Sequence, residues 1–273
     1  MTLTILDIEQ RTTAWYEARL GMVTASAVGR LISVRKLGAI DFDCPACGAA
    51  KNEPCLSKTK TPAPIKTLHS ERTAVSSANK TRVMEVASND DSRGLTAALV
   101  AERINGFADP TWVSVDMNRG IEQEPLARDA YAKHMGVSVD EVGFITEDQW
   151  GFKIGLSPDG LVGDEGLVEI KCPRSKGHVQ TVVADQVPHE YVAQIQCALL
   201  VSGRKWCDFV SFASGMALFV KRVYPDAAWQ RVIVDAVRTF ETNAAESIRL
   251  YGENVAGMPM TERVYDLDDI RVA

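Results

Sequence analysis

The chain has 273 residues, of which 46% are hydrophobic and 24% charged, and this composition excludes a disordered or fibrous protein. Its net charge of −6 provides no overall basic field for nucleic acid, although an acidic protein can still carry a positive groove. No apolar run reaches the roughly 18–20 residues of a membrane span, and the polar N-terminus lacks the apolar stretch of a signal peptide. We therefore expect a cytoplasmic protein with no membrane partner.

The first half of the chain carries helical patterns on both sides of an irregular segment. A short amphipathic helix is predicted around residues 15–20, and a second helix is expected to begin at residues 24–26. Apolar periodicity returns over residues 95–104. The next helix is expected over residues 124–135, because Pro125 is tolerated only in the first turn of a helix.

Strand patterns dominate the second half of the chain. Strands are predicted over 142–147, 152–156, 160–162, 167–171, 205–212 and 217–224, with helices over 190–201 and 229–248. Residues 163–166 read Gly-Asp-Glu-Gly, a strong hairpin-turn signal. The order of elements predicts one α/β domain over residues 1–273, with a mixed central sheet flanked by helices.

Residues 36–80 differ in composition, because Gly, Pro, Lys, Ser and Thr dominate and the hydrophobic periodicity disappears. We expect an insertion here, with a small zinc-binding knuckle over residues 38–74. Its candidate ligands form the pattern C-x₂-C-x₇-C-x₁₃-H and are Cys44, Cys47, Cys55 and His69, hereafter the Cys–His cluster. A Cys-x-x-Cys turn followed by glycine is half of a zinc site, and the histidine can complete a Cys₃His tetrahedron.

A segment so poor in apolar residues cannot fold by burial, so a structural Zn²⁺ would supply its stability. Two alternatives stay open for the Cys–His cluster: three loop thiols with a surface histidine, or an iron–sulfur cluster. Basic side chains make the knuckle mildly positive. This charge would suit contact with DNA phosphate or with a partner, and the alternative is that these side chains are plain solvated surface. They are Lys51, Lys58, Lys60, Lys66 and Arg72.

Two acids and a lysine form the second candidate site. Asp159 precedes a predicted hairpin, and Glu169 and Lys171 project from one face of its second strand because side chains alternate along a strand. If the hairpin brings Asp159 beside them, the acid–lysine set (Asp159, Glu169 and Lys171) suits a hard cation such as Mg²⁺ or Mn²⁺. The metal would lower the pKa of bound water, while the ammonium would orient that water or help to remove its proton. The alternative is a turn aspartate and an unrelated surface Glu/Lys pair.

Glu124 is a further candidate ligand. It is expected on the apolar helix face that carries Ala127 and Tyr131, where a carboxylate is costly unless it is paired or bound to a metal. An ion pair with an arginine is the competing interpretation.

Asp159 with Glu169-Ile170-Lys171 resembles the core of PD-(D/E)xK nucleases, which have a restriction-endonuclease-like fold. The wider pattern resembles the lambda exonuclease or YqaJ-like viral recombinase family. That resemblance rests on residues 14–21 followed by 24–26, then 120–124, 157–161, 169–173 and 191–196. It implies a Mg²⁺-dependent 5′→3′ exonuclease that degrades one strand of linear double-stranded DNA for phage-type recombination. It also implies a ring-shaped trimer, a possible single-strand annealing partner and, for a phage-encoded protein, the cytoplasm of the bacterial host.

The resemblance also implies roles for single residues. Asp159 and Glu169 match the metal-binding acids, with the main-chain carbonyl of Ile170 as a further ligand, and Lys171 matches the catalytic lysine. Glu124 matches a helix glutamate beside the metals. Tyr191 and Gln194 match helix residues that face the active site, and their i, i+3 spacing places them on one face.

Arg19 and Ser26 are the candidate anchors of a 5′-terminal phosphate. Ser26 is expected where the second helix begins, and a helix start offers free N–H groups and a positive dipole to an anion. Arg19, at the end of the preceding helix, can add a bidentate grip, and the resemblance implies the same role for both positions. The alternative is that Ser26 only caps the helix and Arg19 pairs with a surface acid.

Two other functions would use the same residues. A PD-(D/E)xK endonuclease or a Cas4-like nuclease needs the same acid–lysine set, and only an exonuclease requires a DNA end. A non-catalytic DNA-binding recombination scaffold would use the fold and the knuckle without needing converging acids.

Overall fold

The chain divides into two units in the computed structural model, which describes residues 3–109 and 113–263. The main unit comprises Met1–Ile32 and Val86–Ala273, and the inserted unit comprises Ser33–Glu85. Within the described residues, none of the helices combines the length and the apolar character required to cross a bilayer.

The strands are β1 (Thr4–Leu6), β2 (Ile32–Lys36), β3 (Arg82–Val86), β4 (Phe144–Glu147), β5 (Ile154–Leu156), β6 (Gly160–Val162), β7 (Gly166–Lys171), β8 (Trp206–Ser211) and β9 (Phe219–Val223). The α-helices are α1 (Thr13–Arg19), α2 (Ser70–Ala78), α3 (Asp90–Asn105), α4 (Val115–Met135), α5 (Ser175–Ala184), α6 (His189–Ser202) and α7 (Ala227–Asn254). Two short 3₁₀ helices cover Val28–Leu31 and Ala39–Asp41.

A four-stranded mixed sheet organises the main unit. Its strand order is β6-β7-β8-β9, with β7 and β8 parallel and the other pairs antiparallel. Val168 and Ile170 of β7 form a core cluster with Ala127 and Tyr131 of α4, so α4 covers one face of this sheet. The alternation along β7 sends Glu169 to the opposite face, where it contacts Gln194 of α6.

A second sheet is antiparallel and has the order β1-β4-β5. The segment before the first 3₁₀ helix is tied to its outer strand, because Ala25 N–H donates to the carbonyl of Gly155 and Gly155 N–H donates to that of Val23. The helix predicted from residues 24–26 is therefore wrong. Thr24 forms an isolated bridge with Gly155, residues 25–27 form a turn, and only a four-residue 3₁₀ helix, Val28–Leu31, precedes strand β2.

Helix α4 begins nine residues earlier than residue 124, the start expected from Pro125. The hydroxyl of Ser114 caps it by accepting from Met117 N–H at 3.2 Å. Pro125 lies inside the helix on its exposed side. Helix α5 is not among the elements predicted from the sequence. Its buried residues are the polar His178 and Thr181, so the helix lacks the apolar periodicity on which the prediction depends.

The inserted unit has little apolar interior. Strands β2 and β3 form a two-stranded sheet, and the buried cluster consists of Cys44, Ala49 and Cys55 with four partly buried neighbours. The unit extends beyond residues 38–74 at both ends. So small a core supplies little of the apolar burial that usually stabilises a domain.

Candidate active site and metal centre

The three members of the acid–lysine set lie together in the main unit. Lys171 Nζ is 2.7 Å from Glu169 Oε1, as expected for two side chains on the same face of β7. Asp159 immediately precedes β6, and its Oδ2 accepts a hydrogen bond from Ile170 N–H at 2.6 Å. The hairpin between β6 and β7 thus brings together the carboxylates that are ten residues apart in the sequence.

Two carboxyl groups crowd around one lysine in this site. Glu169 is only 2% exposed, and burial together with this carboxylate raises the pKa of Asp159 well above its usual range. Burial lowers the pKa of Lys171, but the carboxylates of Glu169 and Asp159 outweigh it and raise the pKa above its ordinary value. Lys171 is therefore an ammonium here, and the two crowded acids fit a divalent cation.

Helix α6 contributes two side chains to the same place. Gln194 Nε2 donates to Glu169 Oε1 at 2.6 Å and so fixes the orientation of this carboxylate. The ring of Tyr191 lies 5.2 Å from Lys171 Nζ and is stacked on Phe209 at 5.8 Å. The i, i+3 pair chosen from the sequence therefore faces the acid–lysine set.

Glu124 lines the same open cavity as Asp159 but also has arginine partners. Its carboxylate accepts from Arg128 at 2.7 Å and from Arg11 at 3.1 Å, and the side chain is 19% exposed. Arg128 donates in addition to the main-chain carbonyl of Asp159 at 2.8 Å. Sequence reasoning did not select Arg128 as a site residue, although its i, i+4 spacing from Glu124 was a visible signal.

Arg19 and Ser26 line this cavity, whose volume is about 840 Å³. Arg19 stacks on Trp15 with 3.9 Å between the guanidinium carbon and the ring centre, and it donates to the hydroxyl of Ser157 at 2.9 Å. Burial lowers the pKa of Arg19 to about 10, and among the described residues no acid forms an ion pair with it. Glu102 lines the same cavity and offsets this lowering of the pKa of Arg19 only in part, and a guanidinium that is not engaged in an ion pair is suited to bind an anion.

The location of Ser26 differs from expectation. It is exposed, its hydroxyl lies 3.2 Å from that of Thr24, and the following 3₁₀ helix begins only at Val28. The helix-dipole argument for an anion at Ser26 is therefore wrong. Ser26 offers a hydroxyl group at the cavity wall, and Arg19 offers the charge.

The Cys–His cluster forms a second, separate site in the inserted unit. Its four potential ligand atoms all lie within 4.8 Å of one another, and Cys44 Sγ is 3.4 Å from His69 Nδ1. A Zn–S bond of about 2.3 Å places tetrahedral ligands roughly 3.8 Å apart, so the cluster has the dimensions of a site for one ion.

Hydrogen bonds already favour thiolates at two of these positions. Cys47 Sγ accepts from Leu56 N–H at 3.4 Å, and this bond lowers the pKa of Cys47 to about 6. Burial raises the pKa of Cys55, but hydrogen bonds from the backbone of His69 and from Arg72 outweigh it and lower the pKa. Burial raises the pKa of the Cys44 thiol. Three sulfurs and an imidazole are a donor set that fits Zn²⁺.

Arg72, expected among the basic side chains of the knuckle surface, is instead completely buried. The lysines of that group are exposed. Of these five basic residues, only the four lysines contribute positive charge to the surface of the inserted unit.

Comparisons with known proteins match both parts of the chain. The family model described as "YqaJ-like viral recombinase domain" matches residues 68–205, about half of the chain. The model described as "Putative DNA-binding phage zinc finger domain" matches residues 10–85. A search of curated proteins finds no match.

Among solved structures, the alkaline exonuclease LHK-Exo from Laribacter hongkongensis is 28% identical, with a TM-score of 0.63. The alignment covers 91% of this chain and 100% of that one, and the same values apply to LHK-Exo in complex with dAMP. A phage-related exonuclease from Haemophilus somnus 129PT is 12% identical over 83% of this chain and 96% of that one, with a TM-score of 0.47. The predicted α/β nuclease fold with a mixed sheet and an inserted Cys–His cluster is confirmed.

Proposed function

This chain belongs to the YqaJ-like viral recombinase family, and on that premise we propose that it is a phage-type DNA exonuclease. It uses Mg²⁺ or Mn²⁺ to degrade one strand of linear double-stranded DNA in the 5′→3′ direction. The similarity to an alkaline exonuclease over 91% of the chain supports this activity.

One observation carries the proposal: Asp159 and Lys171 share an open cavity with Arg19, which forms no ion pair within the described part of the chain. Asp159 and Lys171 line this cavity, and Glu169 is in contact with Lys171. A metal-dependent hydrolase needs such acids at the scissile phosphate, and an end-directed enzyme also needs a group that recognises the terminus. The cavity offers both.

The carboxylates of Asp159 and Glu169, with the main-chain carbonyl of Ile170, would hold the catalytic metal ion. When bound, the metal supplies a Lewis acid and a water of lowered pKa. Gln194 keeps one oxygen of Glu169 oriented through its 2.6 Å hydrogen bond. Lys171, held as an ammonium by the acids, stabilises the negative charge that develops on the phosphate.

Glu124 acts beside these ligands, and its two arginine partners limit how far its carboxylate can move. Tyr191 packs next to Lys171 and narrows the positions that the ammonium can adopt. Arg19 and Ser26 hold the 5′-terminal phosphate, which determines the direction of degradation.

The inserted unit holds a structural Zn²⁺ at the Cys–His cluster and contacts the DNA backbone. Residues 33–85 contain nine basic and five acidic side chains, a net charge of +4 in a chain whose total is −6. Such a local excess of lysine suits contacts to phosphate. The family resemblance further supports a ring-shaped trimer, a single-strand annealing partner and action in the cytoplasm.

The direct test is a linear duplex labelled at one 5′ end and incubated with Mg²⁺, beside a covalently closed circle of the same sequence. The proposal predicts early release of the 5′ label as mononucleotide, an intact circle, and no reaction after chelation of the metal. Cleavage of the circle would identify an endonuclease. Early release of a 3′ label would refute the proposed direction.

A further inference from the structure

Arg72 is a cation in the interior of the inserted unit, with 0% of its surface exposed. It lies in the first turn of α2, three residues after His69. Its guanidinium donates to four main-chain carbonyls, those of Phe42, Glu53 and Ala50 at 2.7 Å and that of Ile40 at 3.3 Å. A fifth contact, of 3.5 Å, runs from Nη1 to Cys55 Sγ.

Carbonyl dipoles solvate this charge but do not neutralise it. Among the described residues, no acidic side chain forms an ion pair with Arg72, and the contacts of its guanidinium are all with carbonyls and one sulfur. A buried charge is costly unless an opposite charge lies close by. The candidate for that opposite charge is the Cys–His cluster, which Arg72 touches through Cys55.

The charge of the loaded cluster has the required sign. Three thiolates and a neutral imidazole around Zn²⁺ have a formal net charge of −1, which one guanidinium balances. The contacts of Arg72 also join the loop at residues 40–42 to the loop at residues 50–55, and Cys44 follows the first loop while Cys55 ends the second.

We infer that Arg72 is the counter-charge and positioning residue of the zinc centre. It neutralises a Cys₃His site that holds Zn²⁺ with all three cysteines as thiolates, and it clamps the loops at residues 40–42 and 50–55. The inference rests on the proposed zinc site. Because Arg72 and the four candidate ligands lie in the same small unit, zinc binding and the folding of this unit are coupled.

The test is a double-mutant cycle in the full-length protein, with zinc affinity measured by competition with a chromophoric chelator. Arg72→Met keeps much of the side-chain length but removes the charge, and it should weaken Zn²⁺ binding about 10- to 100-fold, as for other outer-shell partners of metal ligands. Arg82→Met, at an exposed position of the same unit, is the matched control and should leave the affinity unchanged.

Cys47→His converts the centre to two thiolates and two imidazoles, which is neutral with Zn²⁺ and leaves the Arg72–Cys55 contact in place. In this background Arg72→Met should cost several-fold less affinity than in the wild type. Equal costs in both backgrounds would mean that Arg72 only clamps backbone, and would overturn the charge-balance inference.

If Arg72→Met does not fold, Arg72→Lys decides the question, because it keeps the charge and loses the planar fork. The inference predicts that the lysine variant retains most of the zinc affinity in the wild-type background. A loss of zinc affinity as large as that of a Cys55→Ser variant would overturn it. A wild-type protein without zinc would refute the zinc site itself, whereas wild-type zinc with an unaffected Arg72→Met variant would refute only the role of Arg72.

Discussion

Replacing Arg19 should abolish recognition of the 5′-terminal phosphate. The guanidinium stacks on Trp15 and donates to Ser157, and among the described residues it forms no ion pair. Both contacts hold it in a fixed orientation at the cavity wall. Since the proposed ligand carries the opposite charge, removal of the guanidinium should reduce the rate on phosphorylated ends and leave the rate on hydroxyl ends almost unchanged.

The magnitude follows from the number of bonds that a planar guanidinium can offer. Hydrogen bonds to a charged group contribute about 1.5–3 kcal/mol each, and a fork can make two of them to one phosphate. We use the lower value because the cavity is open to solvent, which gives about 3 kcal/mol for the pair. At 1.4 kcal/mol per factor of ten, Arg19→Ala should lose roughly 10²-fold of the preference for phosphate. Arg19→Lys keeps a charge without the fork and should lose about tenfold.

The assay compares initial rates on blunt duplexes that carry either a 5′-phosphate or a 5′-hydroxyl. The wild type should favour the phosphate, and the ratio of the two rates should approach one in Arg19→Ala. Arg249→Ala, which removes an exposed arginine on α7, is the control and should keep the wild-type ratio. Equal wild-type rates on both ends, or a preference that survives in Arg19→Ala, would refute the reasoning.

Three further predictions concern the remaining parts of the molecule. Alanine at any position of the acid–lysine set should lower cleavage of an end-labelled duplex at least ~10²-fold while DNA binding in a gel-shift assay persists; near-normal cleavage by one variant would exclude the site. Elemental analysis should find about one zinc per chain, lost in a Cys44→Ser/Cys47→Ser variant and kept after brief exposure to a weak chelator that removes Mg²⁺; zinc that persists in the variant would contradict this. Asp208 is 1% exposed and accepts hydrogen bonds from Tyr131 at 2.8 Å and from Arg222. Asp208→Asn should therefore lower the free energy of unfolding in urea by about 3 kcal/mol, and Tyr131→Phe should lower it by about 1 kcal/mol. An unchanged unfolding midpoint would show that this network contributes nothing to stability.

Local spacing was sufficient for the features that depend on one strand or one helix. The two-residue period of a strand predicts that Glu169 and Lys171 share one face of β7, and their 2.7 Å contact agrees with it. The i, i+3 spacing of Tyr191 and Gln194 likewise predicts a shared face of α6. The mixed sheet and the inserted segment follow from hydrophobic periodicity and its loss, and both agree with the fold.

The Cys–His cluster was predictable for a related reason. A Cys-x-x-Cys turn positions two sulfurs within a few residues, so its geometry depends little on the rest of the chain. The roles of its members as zinc ligands stay predictions, as do those of the acid–lysine set. The spacing of each set predicts that its side chains lie close together, and metal binding by each set is tested by the measurements above.

Long-range contacts decided what local patterns could not. Residues 23–25 pair with Gly155, more than a hundred positions away, and this pairing leaves Ser26 outside the helix that its own neighbourhood suggested. Arg11, 113 positions before Glu124 in the chain, donates to its carboxylate, and this contact adds a distant cation to the local partner Arg128. A short window of sequence around residue 25 or residue 124 does not include Gly155 or Arg11, the distant partners of these contacts.

Arg72 is the clearest case of a property that belongs to the tertiary structure. Its sequence neighbours are polar, and a surface position was the natural expectation for an arginine. Four loop carbonyls and one thiol converge on it only after the inserted unit has folded, and they replace the water that a charged side chain would otherwise keep. The order of residue types along the chain therefore predicts the candidate ligands, whereas the burial of Arg72 depends on loops that meet only in three dimensions.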